Sequence, residues 1–179
     1  MDPTPLIDEL IAREGGYVAR AADKGGPTRY GITQAVARAH GYAGDMARLP
    51  RDTAVAIYRA DYWTAPRLEG VAALAPGVAA ELFDTGVNMG PGTAAAFLRR
   101  ALNALNRNGA DYRDVPAKGG VDDGVLGALK AFLRVRGTGG EAVLIKALDA
   151  LQGERYLALA ETRPANEAFL YGWLANRVG

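Results

Sequence analysis

Two residue types are missing from this chain of 179 residues. Without cysteine there can be no disulfide, thiolate nucleophile or cysteine-ligated metal. Without serine there can be no Ser-His-Asp triad. The one histidine, His40, cannot form a His-rich metal cluster, and no HExxH occurs. No metal or cofactor is expected. Long apolar runs are also lacking: Val71–Phe83 is broken by Pro76, Gly77 and Glu81, so no span of roughly 18 residues is available to cross a membrane. The net charge is +1, too small for a strong field toward nucleic acid or membrane. Met1-Asp2-Pro3-Thr4-Pro5 lacks the basic and apolar regions of a signal peptide. The chain is thus expected to be made in the cytoplasm, and a target outside would require a separate protein, such as a holin, for release. A monomer is expected.

What is present is ordinary globular material, 49% apolar and 23% charged, which can bury a core. Its punctuation predicts a mainly α fold with little strand. Asp2 or Thr4 can cap a first helix in which Leu6, Ile7, Leu10 and Ile11 recur at helical spacing, and Gly15-Gly16 ends it. Tyr17 to Thr33 is turn-rich, with Tyr17-Val18 and Tyr30-Gly31-Ile32 as short strands around Lys24-Gly25-Gly26-Pro27. Further helices are predicted after caps at Thr33, Asp45, Thr93 and Asp122 or Asp123, and after Pro50, Pro76 and Pro164. A long helix carries Leu144, Leu148 and Leu151 on one face, with a weak point at Gly153. Asn106–Gly120 reads as a long polar connection. Residues 1–92 are expected to form a catalytic part and 93–179 a helical C-terminal part, which could share one core.

The chemistry-bearing stretch is Glu14-Gly15-Gly16-Tyr17, followed by Asp23 and Thr28 in a Gly-rich loop. Cleaving a glycosidic bond takes an acid for the leaving oxygen and a second carboxylate to hold water or steady the sugar cation. Glu14 ends an apolar helix near Tyr17, where the helix dipole disfavours negative charge and so favours the neutral acid. Asp23 lies in a more polar segment, suited to an ionised carboxylate, and Thr28 could help it hold water. Gly25-Gly26 would let a sugar approach the backbone closely. Taken singly, each residue has a plainer role. Glu14 would be a solvated helix-end residue, Asp23 and Thr28 turn formers, and Gly15-Gly16 a helix stop.

The joint pattern resembles glycoside hydrolase family 108. Glu14-Gly15-Gly16-Tyr17, Gly25-Gly26-Pro27-Thr28 and Tyr30-Gly31-Ile32-Thr33 form one matching block. Phe83-Asp84-Thr85-Gly86-Val87-Asn88-Met89-Gly90-Pro91-Gly92 and Leu98-Arg99-Arg100-Ala101-Leu102-Asn103 form the second. The resemblance spans nearly the whole chain. It implies a lysozyme-like helical fold with a small irregular or hairpin active-site segment. It also implies N-acetylmuramidase activity of the phage-endolysin kind, peptidoglycan glycan strands as partner, and a C-terminal peptidoglycan-binding region. Glu14 then takes the catalytic-acid role. Likeness to phage-type lysozymes assigns Asp23, nine positions on, and Thr28, one position short of the usual threonine, to the water side. Val121-Asp122-Asp123-Gly124-Val125-Leu126-Gly127 departs from the usual C-terminal pattern by lacking Gly-Pro-x-Thr.

Tyr30, Gln34 and Asn88 carry phenol and amide groups that match sugar hydroxyls and N-acetyl groups. They read equally as packing, a solvated helix position and a helix-end cap. Tyr58, Tyr62 and Trp63 read as core, as do Tyr171 and Trp173. Glu81 and Asp84, one turn apart, could bind a cation or share a proton and read first as salt-bridged; Arg99-Arg100 reads as a solvated face, with anion binding the lesser reading, and His40 as a helix-end residue. Two rival functions are a lytic transglycosylase, giving anhydro ends, and a non-catalytic wall-binding or scaffold module.

Overall fold

The computed structural model describes residues 1–18 and 26–178. It is mainly helical with one small hairpin, as the sequence predicts. The chain divides into two compact units, Asp2–Ala65 and Pro66–Gly179, the latter with Met1.

In the first unit, helix α1 (Thr4–Glu14) buries Ile7, Leu10 and Ile11, the predicted stripe. Asp2 does not cap it by the usual geometry. Its Oδ1 accepts from the Thr4 N–H at 3.1 Å and from Arg59 at 2.9 Å, tying the helix start to a later helix. Gly15 ends the helix at φ 77, and its N–H donates to Ile11 O. Strands β1 (Thr28–Arg29) and β2 (Ile32–Thr33) pair antiparallel, Thr28 opposite Thr33 and Arg29 opposite Ile32. Val18 bridges to Thr28 through two 2.9 Å backbone bonds. Tyr30 and Gly31 are therefore the turn, not strand, and both have positive φ, 55 and 76. Thr33 caps α2 (Gln34–Ala39) by accepting from Val36 N–H.

Helix α3 (Arg51–Arg59) follows Pro50 and passes into a π turn, Ala60–Thr64, closed by Ala65 N–H to Ala60 O. Ile57, Tyr58 and Trp63 are buried from this stretch, and α3 packs on α1. A side chain such as Ile57 contributes about 1.5–3 kcal/mol by leaving water. His40 meets Asp61 across 3.0 Å, a tertiary contact beyond the helix-end role its sequence position suggests.

The second unit opens with α4 (Leu68–Ala72), entered through Arg67 at φ 63, whose guanidinium pairs with Asp123 at 2.6 Å. Pro76 starts α5 (Pro76–Met89), whose first N–H groups are held from outside: Gly77 N–H donates to Glu141 Oε1 at 2.6 Å. Gly90, at φ 90, turns the chain into α6 (Pro91–Ala104). Thr93 is not its cap, because the helix already begins at Pro91 and the Thr93 hydroxyl donates back to Met89 O. Asp122 caps α7 (Asp123–Arg136) through Val125 N–H at 2.9 Å. Helix α8 (Gly140–Thr162) runs unbroken through Gly153, and α9 (Glu167–Arg177) lies on it.

Helix α9 buries none of its residues fully. Trp173 is half-buried against Tyr156, centroids 5.2 Å apart, and Tyr171 is 85% exposed rather than core. Arg99 reverses its expectation: instead of joining a solvated face it is 1% exposed.

Candidate functional site

The first unit places Glu14 on the last turn of α1, exposed to solvent. Among the described residues it has no hydrogen-bond or ion-pair partner. Among the described residues Tyr17 gives it no apolar enclosure, being itself 46% exposed. Instead the stem of Glu14 is held by the hairpin turn. A β-carbon at Gly31 would stand 3.1 Å from Glu14 Cγ and 2.4 Å from Tyr58 Oη, so only a glycine lets the turn lie between them.

The turn is fixed from behind. Tyr58, 4% exposed, donates its hydroxyl to Tyr30 O at 2.9 Å. Burial, then the negative charge of Glu14, then Tyr62, push the Tyr58 phenol well above its ordinary pKa, so it stays a donor. Arg29 donates to Ala47 O and to Tyr30 Oη (3.3 Å), with its guanidinium 5.0 Å from the Tyr30 ring centroid.

Tyr30 and Gln34 thus lie in the same unit as Glu14. The Gln34 N–H donates to Pro27 O at 3.0 Å, and its Oε1 would be 3.5 Å from a β-carbon at Gly26. Thr28 is half-buried in β1, its backbone taken up by Val18 and its hydroxyl one residue beyond Pro27. Asp23 lies outside the described residues. Asn88 belongs to the second unit, where its amide donates to Asp84 O and Asp84 Oδ2 and accepts from Arg177. It is tied up as the helix-end group its plainer reading suggests. Among the described residues no three His, Asp or Glu side chains stand together as a metal site. No helix among them is long and apolar enough to cross a membrane.

Sequence reasoning missed Tyr58 and the role of Gly31. Gly31 sat in the quoted Tyr30-Gly31-Ile32-Thr33 block, but its contact with Tyr58 joins residues far apart in the chain and leaves no local signal. What remains at the site is a carboxyl group at a helix end, open to an incoming ligand, on a backbone turn that cannot shift without losing the Tyr58 hydrogen bond. Such a group can donate a proton to a substrate oxygen.

Comparison with known proteins bears on what that substrate is. Residues 7–90 match the family model described as Glycosyl hydrolase 108, and residues 89–178 match the one described as Predicted Peptidoglycan domain. SagA from Brucella abortus has a similar structure: TM-score 0.67 at 22% identity, covering 96% of this chain and 87% of that one. At that identity the likeness is one of fold. No curated protein matches the chain in sequence. The chain is a Glycosyl hydrolase 108 domain followed by a Predicted Peptidoglycan domain that makes up its C-terminal half.

Proposed function

We propose that the protein is a peptidoglycan muramidase of the endolysin type. It cleaves the β-1,4 bond between N-acetylmuramic acid and N-acetylglucosamine. The observation that carries this is Glu14: a carboxyl group exposed at the end of α1, with no partner among the described residues, its stem confined by Gly31. The two family matches supply the substrate class.

In the proposed step the Glu14 carboxyl gives its proton to the bridging oxygen as the bond from that oxygen to C1 breaks. Asp23, with Thr28, positions the water whose oxygen bonds to C1, or steadies the cation, and the water's proton passes to a carboxylate. Tyr30 and Gln34 offer phenol and amide contacts to the sugars. The enzyme is made in the cytoplasm and acts on the wall once a separate holin releases it.

Turbidity of isolated sacculi treated with wild type and with Glu14→Gln tests this. General-acid catalysis contributes about 10²–10⁴-fold, so lysis should fall by at least about 100-fold while the helical circular-dichroism spectrum is retained. Near wild-type lysis by Glu14→Gln would overturn the assignment. Mass spectrometry of the products should show reducing ends. Anhydro ends would make the enzyme a lytic transglycosylase, and intact walls with bound protein would make it a binding module.

A further inference from the structure

The second unit contains an irregular stretch, residues 105–122, between α6 and α7. A loop of this length without a ladder must satisfy its backbone in other ways. Here two side chains of α6, Arg99 and Asn103, and one within the stretch, Asn106, do so. Arg99 donates to Pro116 O, to Gly120 O and to Asp122 Oδ2. Asn103 brackets Val115, donating to its carbonyl at 2.8 Å and accepting from its N–H at 2.9 Å. Asn106, fully buried, donates to Tyr112 O and Asp114 Oδ1 and accepts from the N–H groups of Asp111 and Tyr112. That uses the whole capacity of its amide. The loop is therefore held as firmly as a strand.

Between this loop and α7 lies a cavity of about 580 Å³. Such a volume falls within the roughly 300–1,000 Å³ of small-ligand sites. Tyr112, Arg113, Asp114, Val115 and Pro116 line it from the loop, and Gly124, Gly127 and Ala128 from α7. A β-carbon at Gly127 would touch nothing within 4 Å, so the space in front of that helix is open. Arg113 is exposed and has no hydrogen-bond or ion-pair partner among the described residues. Asp114 receives one bond, from Asn106.

We propose that this cavity binds the peptide stem of peptidoglycan, not its glycan strand. Sugar sites combine aromatic faces with several planar polar side chains. This cavity has one aromatic wall, Tyr112, whose hydroxyl is committed to Leu102 O; the rest is small aliphatic and glycine surface with one guanidinium and one carboxylate, opposite charges that neutral sugars do not call for. Those match a short peptide with alanine-sized side chains that carries both a carboxylate and an ammonium group. Arg113 takes the carboxylate as a forked donor, Asp114 the ammonium, and the alanyl methyl rests against Val115 and Gly127. This rests on the peptidoglycan reading for the ligand's identity but not on Glu14 or on any cleavage.

The test uses the full chain and two probes, titrated by calorimetry. One is the soluble tetrapeptide L-alanyl-γ-D-glutamyl-diaminopimelyl-D-alanine, and the other is the N-acetylglucosamine tetramer. Wild type should bind the tetrapeptide, and Glu14→Gln should bind it equally. Gly127→Leu, which fills the cavity at an open helical position, and Arg113→Gln, at an exposed one, should each weaken it at least ten-fold. The thermal midpoint of Gly127→Leu should equal or exceed wild type, since glycine is the poorer helix former. Should Gly127→Leu fail to fold, Arg113→Gln alone decides. No tetrapeptide binding, or binding unaffected by the variants, overturns the proposal. So does a tetramer affinity that Gly127→Leu abolishes while the peptide fails to bind. Cleavage of stem-free glycan by wild type, measured separately, tests the muramidase reading, and its failure leaves the peptide titration standing.

Discussion

Glu81 offers a test of the second unit that does not depend on catalysis. It sits half-buried on α5, facing Asp84 and Thr85 on its own helix and Asp149 on α8. Burial first, then the charge of Asp149, then that of Asp84, push its carboxyl from 4.5 up to about 7, against a smaller opposing effect of the Thr85 hydroxyl. A hydrogen bond to Asp149 adds to the upward push. The sequence reading of Glu81 as salt-bridged is thus corrected: the cation nearby, Arg177, lies 3.7 Å from Asp84. The sign follows from which state holds the proton. Below pH 4.5 Glu81 is neutral folded and unfolded, and contributes no pH dependence. Between 4.5 and about 7 only the folded state keeps the proton, so stability falls as pH rises, with the full loss present above 7. At about 1.4 kcal/mol per pH unit, the displacement corresponds to an upper figure of roughly 3 kcal/mol. Partial exposure screens the charges, leaving about 1–2 kcal/mol. Glu81→Gln removes the titration and keeps the shape. Urea unfolding followed by circular dichroism at pH 5, 6, 7 and 8 should show the variant gaining about 1–2 kcal/mol on wild type between pH 5 and 8. Parallel curves over that range would refute the reasoning.

Three further perturbations can be read from the same contacts. Gly31→Ala puts a β-carbon 2.4 Å from Tyr58 Oη at φ 76, so it should cost about 1–2 kcal/mol in backbone strain alone and lower sacculus lysis. Adding Tyr58→Phe should restore part of that loss, and a double mutant whose losses simply add would disprove the clash. Arg99→Met leaves the buried carbonyls of Pro116 and Gly120 without their donor and should cost about 2–4 kcal/mol by urea unfolding; a loss below about 1 kcal/mol would show the loop is held otherwise. Thr33→Ala removes the acceptor for Val36 N–H and should lower stability by about 1 kcal/mol, with Thr33→Asp recovering most of it.

Much of the architecture was written locally in the chain, because helix ends are local events. Gly15 and Gly90 supply positive φ, Thr33 and Asp122 present an oxygen to the first turn, and Pro76 fits a first helical position. Local rules failed where two candidates competed for one boundary, as at Pro91 and Thr93, where proline two residues earlier set the start. They failed also at α4, which is entered through a left-handed arginine and advertises no cap. At the site, the carboxyl at the helix end was legible from Glu14-Gly15-Gly16. The phenol behind the turn was not, since Tyr58 looks like any apolar-face aromatic until the hairpin is laid against it.

Tyr58 reads as core and is buried, whereas Arg99 reads as solvated and is not, but the polar role of both escapes the sequence for one physical reason. Irregular backbone has no ladder, so each buried N–H and C=O in it needs a donor or acceptor from elsewhere. In both units a neighbouring helix provides it: Tyr58 from α3 to the Tyr30–Gly31 turn, and Arg99 and Asn103 from α6 to the 105–122 stretch, which Asn106 also braces from within. A side chain in that service is buried and saturated, yet its residue type is that of a surface position. The converse also holds. Where the backbone is already satisfied by such groups, a charged end left over, such as the Glu14 carboxyl or the Arg113 guanidinium, has no hydrogen-bond or ion-pair partner among the described residues. A charge without a partner among the described residues, on a backbone held this firmly, is available to a ligand. Removing it should therefore affect binding or turnover and leave the unfolding curve nearly where it was, the opposite of what Arg99→Met should do.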